Sequence, residues 1–319
     1  MRLSEIVCGL LAASIVLSGS VSGQSYPTKP VRMVTSAAGG SSDFAARLVA
    51  QGMAPGLGQP VIIDNRGGGV AAIEIVTKAP ADGYTLLYYG SILWLLPLLQ
   101  DGVPYDTLRD LEPVALVVSS PVVIIVNAAV PAKTIKELIA LAKAKPGALN
   151  YGSGGAGSTG HLTAELFKSM AGVSMVRVPY KGAGPALAAV VSGEIQVMMA
   201  SMGGMESQIK AGRVRALALT STKRSTSFPD IPTVAESGLP GFEYGQMSGI
   251  FAPSKTSPAV VTRLNQEVAR ALGRADIKEK LVQSGADPQI GTPQEFGAKV
   301  KAEIARIGKV IKDAGIRAE

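Results

Sequence analysis

Short β-rich runs alternate with helical stretches along most of the chain, and this alternation restricts the fold more than any other feature of the sequence. The pattern is typical of βαβ units and predicts a mostly parallel sheet flanked by helices. The predicted strands are Val31–Thr35, Val61–Asp64, Tyr84–Tyr89, Val114–Val118, Val122–Val126, Leu149–Tyr151, Ser174–Val178, Gln196–Ala200 and Ala216–Thr220. The predicted helices are Phe44–Leu57, Thr134–Ala144, Gly160–Ala171, Pro185–Val191, Gly203–Ala211, Pro258–Leu272, Ile277–Gln283 and Pro293–Ala314.

Two extended stretches rich in turn signals, Val126–Pro131 and Tyr244–Phe251, bracket a central block of the sequence. A chain of 319 residues is long enough for two domains. A chain that leaves one domain, builds a second and then returns connects two lobes by two strands, and such lobes can close around a ligand. The sequence therefore predicts a two-lobed α/β fold with a cleft between the lobes.

The composition argues against most metal and nucleophile chemistry. The chain has one histidine, His161, and one cysteine, Cys8, whereas zinc and Cys–His sites need clusters of these residues. The 31 basic and 24 acidic side chains give a net charge of +7, with no basic block or aromatic-basic alternation. We therefore expect no metal, no cofactor and no nucleic-acid partner, while the diffuse positive charge is compatible with an anionic ligand.

The amino terminus has the outline of a signal peptide: a basic residue, an apolar stretch from Ile6 to Leu17, and small residues up to Gly23. The apolar core of roughly 12 residues is too short to span a bilayer. We expect residues 1–23 to be removed by cleavage after Gly23, or alternatively after Ser20. The mature protein is then exported, soluble and without a thiol, because the single cysteine lies in the leader.

A glycine-rich loop from Ser36 to Asp43 lies between the first predicted strand and the first predicted helix. Glycines allow backbone N–H groups to face outward, and a serine or aspartate can cap the helix. Uncapped N–H groups and the positive end of a helix favour an anion. The alternative is a plain connection between strand and helix, as in every α/β fold.

A second glycine loop, from Gly152 to His161, again follows a short strand and precedes a helix. Two such loops, one in each predicted lobe, indicate a shared anion-binding site. The loop matches G-x-G-x-x-G, but the acidic residue that would bind a ribose is absent from the following strand. Ser158 lies in a near match to the hydrolase motif G-x-S-x-G, yet the only histidine follows it on the same turn, where no triad can form.

Three further residues have open interpretations. His161 either makes a local hydrogen bond at the helix start or contacts a ligand. Tyr180 and Lys181 follow a predicted strand, and they either supply a hydroxyl and a positive charge to the cleft or form a turn.

Several phrases of the sequence, taken in their order and spacing, carry a family resemblance. They are Tyr26-Pro-Thr-Lys-Pro30, Gly39-Gly-Ser-Ser-Asp43, Gly58-Gln-Pro-Val61, Asp64-Asn-Arg66, Asp82-Gly-Tyr84, Tyr151 to Leu162, Val178-Pro-Tyr-Lys-Gly182 and Phe228 to Glu236. Together they resemble the Bug-type solute-binding proteins of tripartite tricarboxylate transporters. The resemblance covers essentially the whole chain after the leader.

The resemblance implies a periplasmic binding protein of the type II class, with two α/β lobes, each a mostly parallel sheet flanked by helices, and a two-strand hinge. The expected lobes are residues 24–127 with 248–319, and residues 128–247. The implied function is the capture of a small organic carboxylate without catalysis, followed by delivery, as a monomer, to the membrane subunits of a tripartite tricarboxylate-type transporter. Family members hold a carboxylate between the two glycine loops through backbone N–H groups, hydroxyls and waters.

The predicted ligand contacts lie in the two loops and at neighbouring strand ends. They are Gly39, Gly40, Ser41, Ser42, Asp43, Ser91, Trp94, Ser153, Gly155, Ala156, Gly157, Ser158, Thr159, His161, Tyr180, Lys181, Ser201 and Met247.

Three stretches depart from the family's pattern. Ser36-Ala-Ala replaces an aromatic-proline run, Gly90–Pro97 replaces a polar loop, and Met199-Ala-Ser replaces a stretch where relatives often carry Phe-Asp. All three changes remove polarity or bulk, so a polar distal group on the ligand would lack partners. We therefore hypothesise an aromatic or largely apolar carboxylate near Trp94, Met199 and Met247. The alternative places Trp94 and its neighbouring leucines in the core.

Two other functions remain open at the level of the sequence. A ligand sensor that signals to a two-component receptor would have the same cleft, and an exported hydrolase would use Ser158 as its nucleophile.

Overall fold

The computed structural model describes residues 26–39, 41–67, 70–202, 205–225 and 228–317. The predicted leader with Cys8, and Gly40 of the first glycine loop, lie outside the described residues. At Ser41 the description is limited to the backbone.

Most of the predicted strands and helices are present in the predicted order, and among them lie three short helices, at residues 71–77, 92–99 and 107–110, that the sequence does not predict. The strands are β1 (Val31–Thr35), β2 (Val61–Asn65), β3 (Thr85–Gly90), β4 (Leu111–Asn127), β5 (Asn150–Ser153), β6 (Val176–Pro179), β7 (Val197–Ser201), β8 (Val214–Leu219), β9 (Gly245–Pro253) and β10 (Asp287–Pro288). The helices are α1 (Ser41–Leu57), α2 (Ala71–Thr77), α3 (Ile92–Leu99), α4 (Thr107–Asp110), α5 (Ile135–Ala144), α6 (Thr159–Ala171), α7 (Ala183–Ser192), α8 (Glu206–Lys210), α9 (Pro258–Gly273), α10 (Ala275–Gln283) and α11 (Pro293–Asp313).

The longer helices begin where the sequence supplies caps for their free N–H groups. Ser158 caps α6 and Ser257 caps α9 through side-chain oxygens. Thr292 and Glu295 form a reciprocal capping box at the start of α11, and Pro293 occupies its first turn. These local signals explain why the predicted starts of these three helices agree with the structure to within one residue.

The strands form one mixed sheet in the order β2-β1-β3-β9-β4-β7-β5-β6, with β8 and β10 also pairing with β4. In the first part of the sheet, β1 pairs in parallel with β2 and β3. In the second part, β5 pairs in parallel with β6 and β7. The long strands β4 and β9 run antiparallel between these two parts. This architecture confirms the predicted α/β class.

β4 connects the two parts of the sheet as one continuous strand. The sequence predicts two strands there, separated by Ser119-Ser-Pro121, but the interruption marks a change of partner instead. Residues up to Pro121 pair with β9, and residues from Val122 onward pair with β7 and β8. The chain returns beside this point, because Tyr244 donates its backbone N–H to the Thr220 carbonyl at 2.9 Å.

The predicted lobe limits, 24–127 with 248–319 and 128–247, stay a prediction. From the strand pairing we propose that the first chain crossing falls between Pro121 and Val122 and not after residue 127.

The buried hydrophobic residues form three clusters, of which one spans both parts of the sheet. α1 and α9 pack together on one face of the first part, through buried side chains such as Met53 and Leu264. On the other face, α11 packs against α3 and also against α6 of the second part. Within the described residues, no helix combines the length and apolar character that crossing a membrane requires.

Candidate functional site

The carboxyl ends of the parallel strands from both parts of the sheet meet near the middle of β4. Gly90, at the end of β3, is opposite Ser248 of β9, which is itself opposite Val118 of β4. Ser201, at the end of β7, is opposite Val122 of β4. Ligands of open α/β sheets bind in crevices at such carboxyl ends. The junction at the middle of β4 is therefore the candidate binding cleft.

The first glycine loop follows β1 and is held in shape by Asp43. The buried Asp43 carboxylate accepts hydrogen bonds from the backbone N–H of Gly39 (2.9 Å) and from Asn65 Nδ2 (2.8 Å), and it pairs with Arg47 (2.9 Å). Asn65 Nδ2 also donates to the Ser36 carbonyl at 2.9 Å. Burial alone would raise the pKa of Asp43, but these donors outweigh it and lower the pKa. The carboxylate is therefore ionised and committed to the loop itself.

The second glycine loop follows β5 and is supported from behind by Arg177 of β6. The Arg177 guanidinium donates to Ser153 Oγ at 2.9 Å through Nε and to the Gly154 carbonyl at 2.8 Å through Nη2. Both acceptors belong to the start of the loop, and Ser153 is buried. The positive charge of Arg177 therefore lies against the backbone that leads into the start of α6. The N-terminus of a helix already favours an anion.

The same loop lies against the first part of the structure at Gly157. Gly157 has φ +74°, and a Cβ at this position would lie 2.6 Å from Leu99 Cδ1 at the end of α3. Only glycine satisfies both the backbone conformation and this close approach. The contact places the second loop beside α3, which begins directly after β3.

His161 is a neutral support for this loop. Its Nδ1 accepts the backbone N–H of Gly157 at 3.2 Å, and its own backbone N–H donates to Ser158 Oγ at 3.4 Å. Burial, followed by the nearby Arg177, lowers the pKa of His161 to about 4. The sequence leaves two interpretations of His161 open, a local hydrogen bond or a ligand contact. The structure shows the local hydrogen bond.

Replacing His161 by asparagine is expected to remove part of the pH dependence of folding. The unfolded chain binds a proton at His161 near pH 6.5, whereas the folded chain binds it only near pH 4. Stability from His161 is therefore complete above about pH 6.5 and is lost as the pH falls toward about 4. His161→Asn keeps an acceptor for Gly157 but has no titrating group. Urea unfolding at about pH 7 and about pH 4.5 should show a smaller loss in the variant; equal losses would contradict this role.

Ser91 and Met247 are in contact at the candidate cleft, and Ser201 lies at the end of the neighbouring strand β7. The Met247 backbone N–H donates to Ser91 Oγ at 3.1 Å, and the same hydroxyl lies 3.4 Å from the Met247 carbonyl. Ser201 is exposed at the end of β7. The Ser91 hydroxyl is therefore already engaged with the chain crossing at Met247.

Trp94 requires a correction, because its ring lies in the core and not at the cleft. The side chain is 1% exposed. Its ring centre lies 6.0 Å from that of Phe251 and 6.3 Å from that of Phe296, and Nε1 donates to Glu303 Oε2 at 2.9 Å. Met199 is equally buried. The core interpretation of Trp94 replaces the predicted ligand contact.

The remaining predicted ligand contacts differ in exposure and in whether their polar groups already have partners within the protein. The Tyr180 hydroxyl donates to Glu194 Oε1 at 3.0 Å, and its backbone N–H donates to the Ser153 carbonyl at 2.8 Å. Lys181 is exposed and, among the described residues, makes no ion pair. The other loop residues are half-buried or exposed on the two loops: Gly39, Ser42, Gly155, Ala156 and Thr159. Their contact with a ligand stays a prediction.

Sequence reasoning missed several residues that shape this region. Arg177 of β6 and Leu99 of α3 lie against the second loop from other elements, so no local motif indicates them. Phe44 and Ile92 lie in the first turns of α1 and α3, the helices that follow β1 and β3, and each is 43% exposed. Within the described residues, no group of three or more acidic, histidine or cysteine side chains could hold a metal.

Comparison with known proteins decides the family. A family model described as the tripartite tricarboxylate transporter family receptor, TctC, matches residues 45–316. The chain belongs to the TctC family. Protein BugT of Bordetella pertussis is 35% identical over 316 residues, which cover 98% of this chain and 97% of BugT.

Solved structures of TctC-type proteins share the fold. An R. palustris protein solved with adipate is 38% identical, with a TM-score of 0.73 and coverage of 92% of this chain and 99% of that one. MatC from Rhodopseudomonas palustris, solved with bound malate, is 32% identical, with a TM-score of 0.69 and coverage of 90% and 100%. The chain is therefore a TctC/Bug-type periplasmic solute-binding protein with the two-lobed fold. This confirms the family and the fold class predicted from the sequence.

Proposed function

We propose that this TctC-family protein binds a small organic carboxylate in the cleft at the middle of β4 and delivers it to the membrane subunits of a tripartite tricarboxylate-type transporter. One observation carries the proposal: two glycine loops at carboxyl ends of parallel strands flank the chain crossing, and the second begins a helix with Arg177 behind it. The adipate and malate in the two related structures support a carboxylate as the ligand.

Binding in this site is electrostatic. The N-terminal N–H groups of α6 and the half-buried Thr159 offer donors to a carboxylate, while the neutral His161 keeps the loop in shape. The ligand would contact both parts of the sheet and would therefore favour the closed arrangement of the lobes over the open one. The transporter would then recognise the closed form.

The ligand class follows from what is exposed beside the loops. With Trp94 in the core, no tryptophan ring is left to stack on an aromatic acid. Phe44 and Ile92 expose apolar surface at the same sheet edge as the first loop. We propose a dicarboxylate with an aliphatic body: one carboxylate on the loop donors, and the body against Phe44 and Ile92.

A ligand panel with a matched pair of variants tests this proposal. The mature protein is titrated calorimetrically with adipate, malate, citrate and benzoate, and unfolding temperatures are recorded in parallel. A ligand at a hundredfold excess over its Kd raises stability by about 2.7 kcal/mol. Thr159→Val removes a loop hydroxyl without changing the side-chain shape and should weaken adipate binding about tenfold or more, since a hydrogen bond to a charged group contributes about 1.5–3 kcal/mol.

Thr77→Val is the control for this panel, because Thr77 ends α2, the helix that leads to the amino end of β3, whereas the proposed site is at the carboxyl ends of the strands. We expect it to bind adipate as the unmodified protein does. No binding of any carboxylate would refute the proposed function, and a preference for benzoate would refute the aliphatic ligand class in favour of the aromatic one.

The alternatives fare differently in the structure. An exported hydrolase would need a base beside Ser158, but the Ser158 hydroxyl accepts a backbone N–H, and His161 Nδ1 is already used by Gly157. A ligand sensor would have the same cleft. The two functions differ in one observable, the uptake of the bound acid into the cell, which transport requires and sensing does not.

We further propose that residues 1–23 are a cleaved leader and that the mature protein is a monomer.

A further inference from the structure

A pocket of about 580 Å³ lies behind the second glycine loop. Its walls are formed by that loop, by α6, by the edge strand β6 and by residues 314–317 after α11. It includes Ala156 and His161 of the second loop, and none of its described lining residues belongs to β4, β9 or the first glycine loop. The pocket therefore touches the second loop from the side on which Arg177 supports it, away from the chain crossing.

The charged side chains that line this pocket are mainly cationic. Lys168 of α6, Arg177 of β6 and Arg317 after α11 contribute three positive charges, and Glu165 of α6 contributes one negative charge. His161 is neutral, because burial and then Arg177 lower its pKa. The described lining therefore carries two more positive than negative charges, and the cations come from three separate segments of the chain.

These cations keep hydrogen-bond donors that the described protein groups do not use. A guanidinium has five N–H groups, and Arg177 donates through Nε and Nη2, so that its Nη1 has no acceptor within the described residues. The Lys168 ammonium has three hydrogens and bonds the two Glu165 carboxylate oxygens at 2.7 and 2.9 Å, which leaves one hydrogen. Arg317 forms an exposed pair with Asp101 at 3.5 Å, and such a pair stabilises little. Donors from three segments are thus available to a ligand in the pocket.

We infer that this pocket is a second anion site, which takes a small doubly charged oxyanion such as inorganic phosphate. Planar guanidinium groups match the oxygens of a phosphate in pairs, and an ammonium adds a compact point charge. A phosphate holds its two charges on one group, which cations on several walls can contact together. Its charge balances the excess positive charge of the described lining.

An anion in this pocket would lie against Arg177 and His161, the two side chains that support the second loop. The proposed carboxylate lies at the start of α6 on the same loop, so the two anions repel each other across it. Each anion therefore lowers the affinity of the protein for the other by the same limited factor. This coupling depends on the proposed function, whereas the phosphate site does not.

A phosphate titration observed at His161 tests the site. His161 is the only histidine of the chain and lines the pocket, so its ring signals in the proton NMR spectrum of the untagged mature protein report on the pocket directly. At about pH 8, where phosphate is doubly charged, and at constant ionic strength, phosphate should shift these signals along a saturating curve. Sodium chloride at the same ionic strength should not produce this curve.

Two variants with opposite expected effects separate binding to the charged lining from a general loss of structure. Arg317→Gln removes an exposed cation of the pocket and should weaken phosphate binding about threefold, whereas Glu165→Gln removes the carboxylate of the described lining and should strengthen it about threefold. Lys278→Gln, at an exposed position on α10, is the matched control for net charge and should leave phosphate affinity unchanged. Absence of saturation at His161, or equal phosphate affinities in all three variants, would overturn the inference.

Adipate calorimetry then distinguishes this site from the carboxylate cleft. As phosphate approaches saturation, the Kd for adipate should rise about twofold to fivefold and then stay constant. A Kd that continues to rise in proportion to the phosphate concentration would show that both anions compete for one site, and the inference would be wrong. Absence of adipate binding would refute the proposed function alone, because the phosphate titration at His161 does not depend on adipate.

Discussion

Replacing Trp94 by alanine is expected to lower the free energy of unfolding by about 4 kcal/mol, the range for removing a large aromatic ring from a core. The ring contacts Phe251 and Phe296 and is buried on all sides. The substitution also removes the donor to Glu303 and leaves a buried carboxyl group without its main partner. Urea unfolding followed by far-ultraviolet circular dichroism measures the loss, since the variant has no tryptophan fluorescence.

Two variants separate ring packing from the hydrogen bond and from aromatic loss in general. Trp94→Phe keeps an aromatic ring and loses the N–H donor, so we expect a smaller loss of about 1–2 kcal/mol. Phe44→Ala removes an exposed ring and should cost less than about 1 kcal/mol. A Trp94→Ala variant of nearly normal stability that no longer binds aromatic acids would restore the ligand contact predicted from the sequence.

Local signals in the sequence predict most of the elements and both glycine loops. The strand Val31–Thr35 agrees with the prediction residue for residue, and α11 begins at Pro293 as expected. Both features depend on neighbouring residues: a short apolar run bounded by turn residues, and a capping box with proline in the first turn. The glycine loops follow the same logic, because glycine clusters at strand ends are local in sequence.

The sequence prediction failed where burial removes the periodic pattern. α3 has apolar residues at every position from Ile92 to Leu99 and a proline within it, so no helical face can be recognised. The sequence predicts two strands in place of β4, Val114–Val118 and Val122–Val126, and a proline such as Pro121 is unusual inside a strand. In the structure this proline lies where β4 changes partner, opposite the first residue of β9.

The parts of the site that no sequence pattern indicates are contacts between distant positions. Trp94 and Glu303 are 209 residues apart, and Ser91 and Met247 are 156 residues apart. Each pair depends on which elements the topology brings together. Arg177 is closer in sequence to the loop that it supports, but the hydrogen bonds require β6 to pair with β5 in one register. The sequence alone predicts the hydrogen-bond donors that we propose for the site, but it does not predict the residues that hold these donors in place.

The positioning of the second loop leads to the other large effect, in the variant Gly160→Ala. A Cβ at Gly160, in the first turn of α6, would lie 2.4 Å from the Met199 carbonyl oxygen, which is fixed in β7. The start of α6 must therefore move away from the strand, and the N–H groups that we propose for the ligand move with it. We expect a stability loss of about 2–3 kcal/mol from overpacking. Adipate affinity should fall about tenfold to a hundredfold, because at least one charge-assisted hydrogen bond is lost.

Gly273→Ala is the matched control for this prediction, since a Cβ at Gly273 has no atom within 4 Å and the position ends α9. It should bind adipate normally and be as stable as the unmodified protein. Calorimetry gives the affinities, and urea unfolding gives the stabilities. Because a destabilised protein can still bind when it is folded, affinity is measured well below the unfolding temperature of each variant. Normal adipate affinity in a folded Gly160→Ala protein would show that the ligand does not use the start of α6, and the proposed site would have to move to the first loop alone.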